Sequence, residues 1–312
     1  MINRDYQYMK RFFQLQDLTI EENSLYLYGH DDEYRASACA KQLMQSTTNV
    51  AFVELEYIDK DLMYVCGSTE KPITLRSGNA LSEFFKKYGF HRIYIDVSGM
   101  EVRMVAALLL RAVEERLEVH VIYAEPQNYI TEKFHKEGAD QEWAGNIDGI
   151  EPLPGFVNFA TSNDEFLFCV FLGFEGGRFR HMISQMQPMD DLTFPVYGIP
   201  GFRIEYPYNA YWSNHKGMTK TQSAGNVKYA SANSIVDAYL LLERISKANK
   251  GIKMLVAPIG TKPHTIASIA FAIKYFKDVE IVYDNPKKIE SRSEGIGNIF
   301  DCHLSKLMED NS

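Results

Sequence analysis

The amino-acid sequence predicts an α/β protein built as two tandem domains, each with a mainly parallel sheet and helices on its faces. Three observations point there. Short apolar runs of strand length alternate with longer runs of helical spacing, the pattern of parallel strands joined by crossover helices. The apolar runs stop at short turns of Gly, Ser, Thr, Asp or Pro. The same order of elements then occurs a second time, so an internal duplication is expected. At 312 residues the chain has room for two ordinary domains. Their boundary is placed in the Gly-, Asp- and Pro-rich stretch 138–156, giving an N-terminal domain 1–150 and a C-terminal domain 151–312.

Residues 1–23 are polar and aromatic and read as an arm laid on the body. A strand at 24–28 ends at Gly29, His30, Asp31 and Asp32, and helical spacing follows over 33–44. The next strand is 50–55. Residues 56–76 are irregular, with a hairpin expected around Cys66, Gly67 and Ser68. A helix at 80–88 leads to a buried strand at 92–97, a turn at Ser98, Gly99 and Met100, a helix at 101–115 and a strand at 118–123. After the boundary come a strand at 166–172, a glycine turn at 173–177, a helix at 178–186 and a strand at 194–197. A long aromatic insertion spans 198–229. A helix at 234–247 and a strand at 254–257 follow. The turn Gly260, Thr261, Lys262, Pro263, His264 opens a helix over 265–276, and a strand at 279–283 closes the unit. The tail carries Lys287, Lys288 and Arg292 and ends in a short strand near 298–303. The repeat is metric as well as ordinal: Gly99 and Tyr123 lie 24 positions apart, Gly260 and Tyr283 lie 23 apart, and each tyrosine is followed three residues later by a proline.

The composition is that of a globular protein, 46% hydrophobic and 24% charged. A formal net charge of −8 argues against general binding to duplex DNA. Cys39, Cys66, Cys169 and Cys302 form no CxxC pair, so reduced thiols are expected and neither a metal nor a cofactor is. The first residues lack the apolar core of a signal peptide, and the longest apolar helical run, 104–110, is too short to span a bilayer. A cytoplasmic protein with no membrane contact is expected.

Chemistry is sought at the carboxyl ends of the strands, where ligands of open parallel sheets sit. The turn Gly260, Thr261, Lys262, His264 combines close backbone approach, a hydroxyl, a charge and a helix amino terminus. It therefore reads as a cradle for a phosphate or carboxylate, with His264 as donor or general acid. The spacing of a Walker A loop is absent. Gly173, Gly176 and Gly177 suit close approach to a base or ribose, with Arg178 or Arg180 as counter-charge, and suit a plain turn and helix cap equally. Gly29, His30, Asp31 and Asp32 either bind a metal or activate water, or cap the helix that follows. Ser98, Gly99 and Arg103 form the counterpart of the lysine turn without its lysine. The catalytic candidates are His264, Asp31 and Asp32. Aromatic residues with interleaved Arg203 and Asn209 at 198–215 suit stacking on nucleobases and suit a protein interface equally.

On these turns the chain resembles the CARF domains and their fused form, SAVED: paired Rossmann-like halves with the matching positions Ser98, Gly99 and Arg103, Gly260, Thr261 and Lys262, Gly29, and 173–177. The resemblance implies a sensor of cyclic or linear oligonucleotide second messengers in prokaryotic antiviral defence, with the ligand held at these turns. Such proteins usually carry an effector domain; none is visible here, so the effector is expected to be a separate subunit. Two other readings stand beside it: a nucleotide- or NAD-processing hydrolase or transferase using the same cleft, and a structural subunit of a defence complex.

Overall fold

The computed structural model describes residues 5–129, 149–156, 165–286 and 293–310. The chain divides into two compact units: unit 1 is Met1–Ile130 with Glu290–Ser312, and unit 2 is Thr131–Ile289.

Unit 1 begins with α1 (Asp5–Tyr8), β1 (Met9–Phe12), β2 (Ser24–Gly29), α2 (Arg35–Ser46), β3 (Val50–Ile58), β4 (Leu62–Val65) and β5 (Ile73–Thr74). It continues with α3 (Gly78–Tyr88), β6 (Arg92–Asp96), α4 (Val102–Glu114), β7 (Glu118–Ala124) and β8 (Asn128–Tyr129). Unit 2 contains β9 (Phe166–Leu172), α5 (Gly176–Met186), β10 (Thr193–Gly198), α6 (Tyr206–Lys220), β11 (Lys228–Ala230), α7 (Ile235–Ala248), β12 (Lys253–Pro258), α8 (Lys262–Lys274) and β13 (Val279–Ile281). The chain then returns to unit 1 through β14 (Ser293–Glu294), β15 (Ile299–His303) and α9 (Leu304–Asp310).

Every residue of β2 is buried, as is nearly all of β7 and β9, because helices cover both faces of a parallel sheet. Their sequences therefore read as continuous apolar runs instead of alternating ones. Local signals end the helices. Ser77 caps α3 by accepting from Ala80 N at 3.2 Å, and Gly89 closes it at φ 71°, a left-handed position that favours glycine. Ser234 caps α7 in the same way, accepting from Asp237 N at 2.9 Å.

The five strands of unit 2 are all parallel, in the order β11-β10-β9-β12-β13, which is the doubly wound 3-2-1-4-5 order of a Rossmann-like half. In unit 1 the run β4-β3-β2-β6-β7 has the same layout, except that its third strand, β4, is antiparallel. β15 and β1 extend that sheet antiparallel beyond β7, and β5 extends the other edge. Each unit has its own apolar core: Tyr26, Cys39, Leu43 and Tyr94 in unit 1, and Phe168, Phe179, Met182 and Tyr197 in unit 2. No helix among the described residues is long and apolar enough to cross a membrane.

Two expectations change, the domain division and the looped aromatic insertion. The division at 1–150 and 151–312 places the tail in the wrong unit, since Ile299–His303 pairs with β7 and fills the edge of the first sheet. Most of the expected boundary stretch, and Lys287, Lys288 and Arg292, lie outside the described residues. The hairpin expected around Cys66, Gly67 and Ser68 is present, joining β4 to the antiparallel β5, and a tighter one precedes it at Asp59–Asp61, where Lys60 and Asp61 take left-handed conformations between β3 and β4. The aromatic insertion folds mainly into α6, with a proline in its first turn, so it is not a long loop.

Deleting residues 299–310 removes the buried Ile299, Phe300, Cys302, Leu304 and Leu307 and strips β7 of a neighbour. At roughly 1.5–3 kcal/mol per buried side chain the loss rivals the whole stability of a domain. The truncated chain is expected to accumulate insoluble and to lose a cooperative transition in scanning calorimetry. A soluble variant with an unchanged thermogram would contradict this account of the sheet edge.

Candidate functional site

In unit 2 the strand order reverses between β9 and β12, and the turns that follow them meet there. They meet without a gap. A Cβ built on Gly173 would lie 2.8 Å from Ile259 O, and one on Gly260 would lie 3.1 Å from Leu172 O. Helix α6 then sits on the glycine turn. Asn214 Nδ2 donates to Gly173 O at 2.8 Å, and a Cβ on Gly176 would fall 1.9 Å from Ser213 O. Gly173, Gly176 and Gly177 were expected to admit a base or ribose; the room at Gly173 is taken by the turn after β12 and that at Gly176 by α6, and Gly177 lies half-buried beside them in the first turn of α5.

Arg178 is likewise not a counter-charge for a ligand. It is buried, with Nε and Nη2 donating to the two carboxylate oxygens of Asp284 at 2.8 and 2.5 Å. Its Nη1 donates to Glu175 Oε2 at 3.2 Å and to Ile259 O at 3.4 Å. Burial opposes the guanidinium charge, but the bonds and charge of Asp284 outweigh it, so the proton is held more firmly than in a free arginine.

The start of α8 is organised differently. Thr261 occupies its N-cap without a side-chain cap bond, because its hydroxyl donates to Ala232 O at 2.7 Å. Lys262 is the first helical residue and is half-buried, and Pro263 follows it. His264 is fully buried: Nε2 donates to Ser231 O at 3.0 Å, and the ring lies 4.7 Å from that of Phe171. Burial lowers its pKa to about 4, so it is neutral near pH 7. His264 is therefore a strut that ties the β11–α7 connection to α8, which corrects the expectation of a general acid. Helix α8 is buried nearly all round, and any residue in its first turns after Lys262 is drawn inside.

An aromatic group lies along the same carboxyl edge. Tyr197 pairs in register with Tyr229, and its ring is 6.1 Å from that of Tyr211. Gly198 follows Tyr197, and a Cβ there would be 3.0 Å from Ala232, the residue that accepts from Thr261. Tyr208, Tyr211, Trp212 and Tyr229 are exposed, and Trp212 stacks on His215 at 5.1 Å. The Tyr197 hydroxyl is buried with no hydrogen-bond partner among the described residues.

The corresponding turns of unit 1 also abut: a Cβ on Gly29 would lie 2.7 Å from Gly99 O, and one on Gly99 would lie 2.3 Å from Ala36 Cβ. Ser98 is structural, accepting from Ala124 N at 2.9 Å and donating its own N–H to Asp96 Oδ1 at 3.0 Å. Asp31 Oδ1 accepts from Glu33 N at 2.9 Å in the turn before α2, and Asp32 is exposed. His30 bonds Glu54 Oε1 at 2.9 Å, and that bond raises its pKa. Arg103 grips Asp61 at 2.5 and 2.7 Å, and Arg76 joins them at 2.7 Å.

Sequence reasoning missed three buried polar groups at these edges. Asp284 holds Arg178. Arg35 bonds Glu33 Oε2 at 2.8 Å and Ala124 O at 3.3 Å, the equivalent latch of unit 1. Asp96 is completely buried at the end of β6, accepting from Tyr26 OH at 2.9 Å, and burial raises its pKa to about 6. The signal was faint: in each unit a Glu–Arg pair opens the first helix, and the strand that answers it ends in the repeated Tyr-x-x-Pro.

No family model matches the chain, and no curated protein matches it. Among solved structures it is similar to "CobK precorrin-6A reductase", at 13% identity over 94% of this chain and 98% of that one, with a TM-score of 0.25. It is also similar to a phosphoethanolamine N-methyltransferase 1 of Haemonchus contortus, at 8% identity over 92% of this chain and 89% of that one, with a TM-score of 0.19.

Replacing Asp284 with Ala strands a buried guanidinium and is expected to cost about 3–5 kcal/mol in urea unfolding. A cost below 1 kcal/mol would mean the latch is dispensable. Asp96 gives a pH signature. Because its folded pKa is raised, its contribution is complete below about pH 4 and is lost as pH rises through about 6, by up to about 3 kcal/mol. Asp96→Asn is expected to lack that fall, so the stability difference between variant and wild type should change across this window and be flat above it.

Proposed function

We propose that the chain binds a phosphorylated nucleotide or oligonucleotide on the carboxyl edge of unit 2 and reports its presence without transforming it. One observation carries this reading: the N-cap side chain of α8 is engaged with Ala232, and Lys262 opens the helix on the same edge as the exposed aromatic rings. A helix amino terminus with a lysine attracts a phosphate. Aromatic faces stack on bases of any identity at about 1–3 kcal/mol each.

Binding is favoured over turnover because two of the three acid–base candidates, His264 and Asp31, are engaged elsewhere. His264 is neutral and enclosed, and Asp31 accepts from the backbone of its own turn. The resemblance to CARF and SAVED proteins extends the reading to an oligonucleotide second messenger of antiviral defence acting through a separate effector. The exposed stripe Ile204, Tyr208, Tyr211 and Trp212 on and before α6 supports a docking surface for that partner: Ile204 is 97% exposed, and Tyr and Trp dominate interface hot spots.

Calorimetric titration with a panel of mononucleotides and of linear and cyclic oligonucleotides tests the site. Lys262→Ala is expected to weaken the best ligand by about 1.5–3 kcal/mol. Trp212→Ala is expected to weaken it by about 1–3 kcal/mol if the base stacks there. Mass spectrometry should recover the ligand intact. Unaltered affinity in Lys262→Ala would overturn the assignment, and a product peak would return the enzyme reading.

A further inference from the structure

A second constellation lies in unit 1, away from the strand-end turns. Strands β7 and β15 are antiparallel, and His120 stands directly opposite His303 in the register, with Glu118 two positions before His120 on the same face. The two imidazoles stack with centroids 4.2 Å apart. Glu118 Oε1 lies 3.5 Å from His120 Nε2 and 3.7 Å from His303 Nε2, and one ligand atom from each residue falls within 4.8 Å of the others.

The surroundings orient these atoms as ligands are oriented. The Nδ1 of His120 is 2.8 Å from Oδ1 of Asp301, a buried carboxylate. If Nδ1 donates that bond, Nε2 carries the lone pair. That Nε2 is buried with no hydrogen-bond partner among the described residues, in a residue only 6% exposed, and it points toward Glu118 and His303. Arg92 Nε lies 3.0 Å from Glu118 Oε2 and holds that carboxylate, leaving Oε1 turned toward the imidazoles. Carboxylate–histidine–metal relays have this form. A tetrahedral ion with bonds of about 2.0–2.1 Å needs ligand atoms about 3.3 Å apart, so Glu118 Oε1 is within a few tenths of an ångström of the required spacing to each imidazole, and the two imidazole nitrogens, less than 4.8 Å apart, need at most a larger side-chain adjustment. Glu118 and His303 are partly exposed, which leaves a route in and an open fourth position.

We propose that Glu118, His120 and His303 form a site for a divalent transition ion of the zinc class, with Asp301 as the positioning residue for His120. Two imidazoles and one carboxylate are suited to such an ion and poorly suited to magnesium or calcium, which take oxygen ligands. A stacked histidine pair that merely shares the sheet edge is the competing account, and it predicts no saturable binding.

The test uses the full chain, dialysed against a chelator and titrated with Co²⁺, read by its visible d–d absorption, and with Zn²⁺ in competition. Expected are one equivalent bound with the spectrum of a four-coordinate nitrogen–oxygen site, and its loss in His303→Ala, whose partly exposed side chain is not needed for the core. Asp301→Asn should retain the site but weaken it by about 10–100-fold. Circular dichroism checks that both variants fold. His30→Ala removes one member of the other group of possible ligands, His30, Glu54 and Cys66, and should leave binding unchanged. Absent saturation, unchanged binding in His303→Ala, or loss confined to His30→Ala would each overturn the proposal.

Discussion

A guanidinium buried at the head of α2 in unit 1 and of α5 in unit 2 organises the carboxyl edge of each unit. Arg178 cannot sit uncompensated in the interior of unit 2, where an unpaired charge costs several kcal/mol. Asp284, Glu175 and Ile259 O therefore have to converge on it, and in converging they fix the end of β13, the start of α5 and the β12–α8 turn. Arg35 does the same in unit 1 with Glu33 and the carbonyl of Ala124. The placement of Lys262 and the α8 amino terminus follows from this latch, since the turn that carries them is anchored through Ile259.

The two units thus share more than an order of strands. In both, a glycine after the first strand lies against the turn after the fourth, and an arginine reaches the end of the fifth. The difference is at the third strand and above the first turn. Unit 1 uses a short antiparallel hairpin, whereas unit 2 uses a parallel strand and lays α6 over its glycines. Helix-on-helix packing accounts for two glycines of unit 2: Gly176 admits Ser213, and a Cβ on Gly217 would come within 2.5 Å of the Phe179 ring.

Much of this was legible in the sequence, for a physical reason. Strands covered on both faces read as unbroken apolar runs, and capping serines and glycines punctuate the helices between them, so strand and helix positions could be read locally. What was not legible depended on distant partners. Arg178 looks like an exposed charge until Asp284, 106 positions on, is brought beside it. His264 looks accessible until α8 is buried on nearly every side. Helix α6 hid because its outer face is aromatic, which blurs the contrast between faces that marks a helix. The tail strand β15 could be recognised as a strand, but nothing local says which sheet it joins.

That last strand makes unit 1 discontinuous: its sheet is opened by residues Met1–Ile130 and closed only by residues that follow the whole of unit 2. During synthesis the ribosome would therefore deliver a complete unit 2 while the edge of β7 still waits for β15. The half made later can mature first, and the half made earlier must hold an unpaired edge in the meantime, the sort of exposure on which chaperones act.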